Sequence, residues 1–264
     1  MIEDLVRQLV GNDAQVSGIM KVGEDPHTYD VRPNDAVTLS RADLVLANGF
    51  HLEATLDRVI QQSARGRVVH LAEAADIQPL GSETYAGAAD PHCWMDAALF
   101  KRYAEAARDA LIDADPPRAE SYRRRARAYL DQLDDLDNEI RAALASIPQD
   151  RRVVVTSHDA FNYYAAAYDL EVHGVIGIST DAQPNAADLE ALRQLIRDRK
   201  VRALFIETSV APTLNQIVRN LADDTAVNLG GTLFSDSLGP PDSGGDTYLN
   251  MMRHNTRAIV EALR

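Results

Sequence analysis

The chain has 264 residues, with 40 acidic against 27 basic side chains and a formal net charge of −13 at pH 7. Nucleic acid and anionic membranes repel such a chain, so we expect neither as a partner, whereas a cationic ligand is compatible with the charge. No apolar run reaches the length of a membrane span, and the single cysteine, Cys93, excludes an intrachain disulfide and a cysteine-based zinc knuckle.

The first part of the sequence alternates helical patterns with short apolar runs. This rhythm is typical of parallel βα units. In chain order, we predict a helix over 2–10, an extended segment over 15–20, a turn-rich segment containing His27, a helix over 33–42, a strand over 43–47, a helix over 52–62, a strand over 68–71, an irregular segment over 74–89 containing small residues, and, after His92, a helix over 97–114.

A long amphipathic helix is predicted for residues 118–147. Apolar residues recur there at alternating spacings of three and four, and prolines stand just before and just after it. At 1.5 Å per residue it would reach roughly 45 Å, about the width of a domain or more. We therefore predict an N-terminal lobe (1–115), a connecting helix (116–148) and a C-terminal lobe (149–264).

The second part of the sequence has a doubly wound pattern of strands and helices. We predict strands over 153–157, 172–176, 203–206 and 225–229, and helices over 160–168, 186–199, 211–223 and 247–263. In open α/β sheets, ligands bind beyond the carboxyl ends of the strands. His158 and Asp236 are predicted at such ends, and by a weaker argument so is His27.

Three of the seven histidines share a sequence context that favours metal binding. His27, His92 and His158 each lie in a loop or at a strand end, beside an acidic residue or a proline, with an aromatic residue nearby. Together with Asp236 they form a candidate set of metal ligands. Neutral imidazoles suit zinc and, less exclusively, manganese. Four donors would close a tetrahedral zinc site, whereas an Asp236 bound through both oxygens would give the five donors that manganese accepts more readily.

The other titratable residues receive structural interpretations. Glu207 is interpreted as a buried acid near the site, and Asp159 as a helix N-cap, although either could act as a base or orient an imidazole. The consecutive residues Ser157, His158 and Asp159 cannot easily align as a catalytic triad. The remaining histidines are interpreted as surface or helix-end residues: His51, His70, His173 and His254.

With those residues identified, the sequence resembles the cluster A-I substrate-binding proteins of bacterial zinc and manganese ABC transporters. The resemblance covers nearly the whole chain, with its motifs in family order. They are 25–29 (DPHTY), 42–49 (ADLVLANG), 90–96 (DPHCWMD), 156–161 (TSHDAF), 205–210 (FIETSV), 234–239 (FSDSLG) and 247–255 (TYLNMMRHN).

This resemblance implies an α/β fold of two βα lobes, each a parallel sheet flanked by helices, bridged by one long helix. It implies that His27 and His92 from the first lobe and His158 and Asp236 from the second bind one metal ion, Zn²⁺ or Mn²⁺, in the cleft between the lobes. A histidine at the third position is most similar to TroA-type members, which accept both metals. Residues 81–89 contain no histidine, which weakens a purely zinc assignment.

The function implied is that of an extracytoplasmic solute-binding protein, periplasmic or lipid-anchored, which delivers its ion to the permease of an ABC transporter. We expect a monomer without enzymatic activity; the adhesin label used in the family has no separate sequence feature here. Family members begin with an export signal and a first strand that precede the position of Met1, so we expect a longer natural N-terminus. The alternative is a zinc-dependent hydrolase with a histidine-rich centre and Glu207 or Asp159 as base.

Overall fold

The computed structural model describes residues 1–81 and 88–264, and its two sheets are both parallel. The first sheet pairs β1 with β2, with Leu44 opposite Arg67. The elements of this part are α1 (Ile2–Val10), α2 (Pro33–Arg41), β1 (Leu44–Ala47), α3 (Ala54–Ser63), β2 (Arg67–His70), α4 (Leu71–Ala74) and α5 (Ala97–Ala114), with a short 3-10 helix at Cys93–Met95. The predicted parallel βα rhythm is therefore confirmed.

Two predictions for this part need correction or lie outside the description. Residues 15–20 form no strand, so His27 lies in a long irregular loop between α1 and α2 rather than at a strand end. The apolar residues that suggested a strand, Val16, Ile19 and Met20, instead pack singly against the core clusters. The predicted irregular segment 74–89 includes residues 82–87, which lie outside the described residues.

The predicted long helix is confirmed as α6, Ala119–Leu144, with 26 residues. At 1.5 Å per residue it is about 39 Å long. A 3-10 turn at Pro116–Arg118 precedes it, and the apolar stripe is buried: Tyr122, Ala126, Tyr129, Leu133, Leu136, Ile140 and Leu144. The helix packs against α1 and α5 from the first part of the chain and against the C-terminal helix from the second.

The second sheet has four parallel strands in the order β4-β3-β5-β6. The direction of winding reverses between β3 and β5, which is where such sheets bind ligands. The elements are β3 (Val153–His158), α7 (Asn162–Tyr168), β4 (Glu171–Ile176), α8 (Ala186–Asp198), β5 (Ala203–Glu207), α9 (Pro212–Thr225), β6 (Asn228–Leu233) and α10 (Tyr248–Leu263).

One apolar cluster runs through both parts of the chain. It includes Leu5 and Phe100 from the first part together with Phe205 and Met251 from the second. Tyr248, at the start of α10, stacks on Phe100 with ring centroids 3.6 Å apart, and its N–H donates to Asp4 Oδ2 at 2.8 Å. The sequence assigns α10 to the C-terminal lobe, yet its first residue packs among elements of the N-terminal lobe. The boundaries of the lobes therefore stay a prediction.

No described helix combines the length and the apolar character that a membrane crossing requires. A cavity of about 1210 Å³ lies between α1, β1 and α5 and extends to Trp94 and Asp236.

Candidate metal centre

Four metal-type donors converge between the two sheets. His27, His92, His158 and Asp236 each offer a ligand atom, and these atoms all lie within 4.8 Å of one another. The Nε2 atoms of His27 and His92 are 3.2 Å apart. The two Asp236 oxygens divide between the other contacts, with Oδ1 3.3 Å from His92 Nε2 and Oδ2 3.1 Å from His158 Nε2.

The three distances of 3.1, 3.2 and 3.3 Å between donor atoms are close to those around a tetrahedral zinc ion. Bonds of about 2.0–2.1 Å place neighbouring donors roughly 3.3 Å apart. Three of the four side chains are buried, and His27 is partly exposed. His158 Nε2 and Asp236 Oδ1 have no hydrogen-bond partner in the described part of the chain. Buried polar atoms are normally satisfied, and a dipositive ion is what would satisfy donors aimed at one point.

The fold delivers these donors from four different segments. His158 is the last residue of β3, and Asp236 follows the end of β6 by three residues, both at the carboxyl edge of the four-stranded sheet. His92 immediately precedes the 3-10 helix Cys93–Met95, and His27 lies in the loop between α1 and α2. Two donors thus come from each side of α6 in the sequence.

A buried carboxylate stands behind His158. Glu207 ends β5, and its Oε1 accepts the backbone N–H of His158 at 2.9 Å. Its Oε2 lies 2.8 Å from His158 Nδ1, a close ionic contact whose alignment falls short of a hydrogen bond. The interpretation of Glu207 as a buried acid near the site is confirmed. Asp159 neither caps a helix nor orients an imidazole; its Oδ1 accepts the N–H of Gly174 on β4.

Asp90 stands behind His92 and was missed by the sequence interpretation. Its Oδ1 accepts the backbone N–H of His92 at 3.0 Å and lies 2.7 Å from His92 Nδ1. Asn162, at the start of α7, donates to the other oxygen at 3.0 Å. The role of Asp90 could have been suspected from the tripeptide Asp-Pro-His, which occurs twice in the sequence, at residues 25–27 and 90–92, each time with a candidate ligand as its histidine.

Charge and burial set the protonation of the four donors in opposite directions. Burial lowers the pKa of His27 to about 3, so this imidazole is neutral. Burial also acts to lower the pKa of His92, but Asp90 and Asp236 outweigh it and raise the pKa to about 9. The pKa of His158 is raised well above its usual range, since Glu207 and Asp236 outweigh its burial. Burial acts to raise the pKa of Asp236, but His158 and His92 hold it well below its usual range. A bound cation would take the place of the protons on His92 and His158.

The other four histidines lie away from this cluster. His51 is exposed in a turn and His70 ends β2, as interpreted. The other two, His173 and His254, are partly exposed, which agrees with a surface position, but neither lies at a helix end. His173 is inside β4, 2.8 Å from Glu171, and His254 is inside α10, where its Nε2 donates to the carbonyl of Thr232.

The fold and the donor set together define a two-lobed α/β binding protein with a metal-type site between its lobes. Comparison with known proteins gives the family. The family described as "ZnuA: Zinc-uptake complex component A periplasmic" matches residues 1–262. The chain therefore belongs to this family of transporter substrate-binding proteins.

Individual relatives agree with that membership. The Zinc-binding protein TroA of Treponema pallidum (strain Nichols) is 37% identical over 267 residues, which span 100% of this chain and 86% of the relative. The Manganese-binding lipoprotein MntA of Bacillus subtilis (strain 168) is 33% identical over 268 residues, covering 100% and 87% of the two chains.

Solved structures give the same relationship. The periplasmic zinc binding protein TroA from Treponema pallidum superimposes with a TM-score of 0.94 at 36% identity and covers 100% of this chain and 96% of that one. A Mn-bound mutant of the periplasmic metal binding protein from Candidatus Liberibacter asiaticus gives a TM-score of 0.91 at 27% identity, with coverage of 100% and 96%. The predicted fold class, two βα lobes bridged by a long helix, and the resemblance to TroA-type members are confirmed.

Proposed function

We propose that this chain captures a divalent transition-metal ion, Zn²⁺ or Mn²⁺, outside the cytoplasm and delivers it to the permease of an ABC transporter. The observation that carries the proposal is the convergence of His27, His92, His158 and Asp236 within 4.8 Å. The names of the relatives support the choice of ions, since one is called zinc-binding and another manganese-binding.

The coordination favours capture over catalysis. A catalytic zinc site keeps one position open for water, whereas four protein donors close a tetrahedral site. The two acids considered as bases are both engaged, Glu207 with His158 and Asp159 with Gly174. Ser157 points its hydroxyl at Asn215. We therefore propose that the chain has no enzymatic activity, and no observation favours the hydrolase alternative.

The location and partners follow from the same proposal. Relatives are named periplasmic or lipoprotein, so we place this chain in the periplasm or anchored at the cell surface, as a monomer that engages the permease. The net charge of −13 agrees with a cationic ligand and disfavours nucleic acid. The lobes would be residues 1–115 and 149–264, with 116–148 connecting them. Docking to the permease would then release the ion through a movement at the cleft, which α6 and the shared core keep small.

The metal content of the purified protein tests this function. Wild type, His92→Ala, Asp236→Ala and the control His70→Ala are stripped with a chelator, reloaded separately with Zn²⁺ and Mn²⁺, and analysed by elemental mass spectrometry. We expect about one ion per chain in wild type and the control, and severely weakened binding in the two site variants. Undiminished binding in both site variants would show that the ligands are misassigned.

The transported ion needs a separate measurement. Zn²⁺ binds more tightly than Mn²⁺ at almost any site of nitrogen and oxygen donors, so relative affinity does not identify the physiological ion. Uptake of each radioactive ion by cells with and without this protein, at matched free concentrations, distinguishes the two.

A further inference from the structure

His27 is the least supported of the four donors. His92 and His158 are fully buried, and each has a buried carboxylate within 2.8 Å of its Nδ1 atom. His27 is partly exposed and lies in the loop between α1 and α2, which has no regular secondary structure. In the described ranges, no carboxylate hydrogen-bonds to its ring. Its position therefore depends on what holds the loop.

Two hydrogen bonds hold this loop to C-terminal segments. Thr180 Oγ1 donates to Asp25 Oδ2 at 2.5 Å, and the N–H of Gly23 donates to Ser237 Oγ at 2.6 Å. Thr180 lies in the connection between β4 and α8, and Ser237 follows the donor Asp236 directly. The loop that carries His27 is thus fastened on the opposite side of the cleft.

Asp25 connects Thr180 to His27, because its carboxylate accepts hydrogen bonds from both residues. Its Oδ1 accepts the backbone N–H of His27 at 2.9 Å, while Oδ2 accepts from Thr180 and from Thr28, the latter at 3.1 Å. In the other Asp-Pro-His tripeptide, Asp90 makes the same bond to its histidine N–H and also contacts the ring. Asp25 differs in that it makes no hydrogen bond or ion pair with its histidine ring, and its Oδ2 accepts a hydrogen bond from Thr180 on the other side of the cleft.

We propose that the loop carrying His27 is the gate through which the ion enters and leaves, and that Thr180 is a positioning residue that latches the gate through Asp25. This inference rests on the proposed metal-binding function. Release begins at His27, because the other three donors are fixed in buried surroundings. A hydrogen bond to a carboxylate is charge-assisted and stronger than a neutral one, so losing the Thr180 bond removes the stronger of the two bonds that hold the loop to the C-terminal side and leaves only the bond from Gly23 to Ser237.

The release rate of Zn²⁺ tests the latch. Zn²⁺-loaded wild type, Thr180→Ala, Thr180→Ser and Thr28→Ala are mixed with excess chelator in a stopped-flow instrument. Thr28→Ala is the matched control, since it removes a bond to the same Asp25 oxygen from within the loop. We expect release about tenfold faster in Thr180→Ala, a near-normal rate in Thr180→Ser, and a much smaller increase in Thr28→Ala. Hydrogen exchange should rise in residues 21–30 of Thr180→Ala and stay unchanged in β3.

Each contrary outcome points to a different error. A wild-type release rate in Thr180→Ala, or an equal acceleration in Thr28→Ala, would overturn the latch while leaving the metal-binding function intact. Faster exchange spread over both sheets would show that Thr180 acts on general stability and not on the gate. A wild-type chain without a single Zn²⁺ site would overturn both the proposed function and this inference.

Discussion

At the scale of single residues, the two fully buried imidazoles owe their orientation to the carboxylates behind them. Asp90 and Glu207 each contact both the backbone N–H and the Nδ1 side of one histidine. Such a carboxylate fixes the ring so that Nε2 faces the metal, and it makes the imidazole a stronger ligand. The metal affinity of this site should therefore depend on residues that never touch the ion.

Replacing Glu207 by glutamine tests that dependence. Glutamine has one carbonyl oxygen, so it can accept either from the His158 backbone N–H or from Nδ1–H. Its NH₂ group, itself a donor, would then face the remaining N–H of His158 and repel it. We expect Glu207→Gln to weaken Zn²⁺ binding by about 10- to 100-fold, measured by competition with a chromogenic chelator. Glu171→Gln is the control, because Glu171 contacts His173 at the opposite end of the same sheet. Equal affinities for the two variants would contradict the assignment.

Another buried acid, Glu53, affects stability rather than binding. Its carboxylate accepts from the N–H groups of Asn48 and Gly49, yet burial raises its pKa from 4.5 to about 7. Between these values the unfolded chain has lost the proton and the folded chain keeps it. Stability therefore falls as the pH rises from 4.5 to 7, and the cost is complete above pH 7.

Glu53→Gln should remove this pH-dependent cost. Relative to wild type, the free energy of unfolding of the variant should rise by about 2 kcal/mol between pH 5 and pH 8. Urea unfolding of the metal-free proteins at both pH values measures the difference. A variant whose stability relative to wild type is the same at both pH values would show that Glu53 titrates normally.

At the scale of elements, the sequence predicted what depends on local patterns. The long helix α6 and the strand β3 were correct because their apolar spacing is set by the period of each structure. The strand predicted at 225–229 was misplaced: α9 continues to Thr225, and β6 runs from Asn228 to Leu233. The strand passes through Gly230, where a side-chain carbon would lie 2.5 Å from the Phe205 ring. This packing between strands is not visible in the local sequence.

In the candidate site, too, the features set by local sequence were predicted and the contacts between distant residues were not. Histidines and an aspartate at loop and strand ends could be selected from the sequence, and the family resemblance supplied their joint role. The contacts that position them join residues far apart in the chain, such as Asn162 with Asp90 and Thr180 with Asp25. Neither composition nor periodicity encodes such pairs, because they depend on how the two sheets are placed.

At the scale of the whole molecule, the two lobes share one core. The apolar cluster includes residues from Leu5 to Met251, α6 packs against helices of both lobes, and α10 begins against Phe100. Trp94, from the N-terminal part of the chain, also contacts the C-terminal part. Its Nε1–H donates to the carbonyl of Ser235, and its own carbonyl accepts from the hydroxyl of Tyr248. Wide opening of the cleft would break these contacts, so metal exchange is better served by a small movement of the His27 loop.

A shared core predicts cooperative unfolding. Trp94 is the only tryptophan in the chain and sits where the two sides meet, so its fluorescence reports the junction, whereas circular dichroism reports the helices of both lobes. In urea, the two signals of the metal-free protein should follow one coincident transition. Excess Zn²⁺ should move both signals together, by about 4 kcal/mol at a thousand times the dissociation constant. A fluorescence change that precedes the loss of helix would mean that the contacts between the lobes break before the lobes unfold, and the shared core would then be no argument against a wide opening of the cleft.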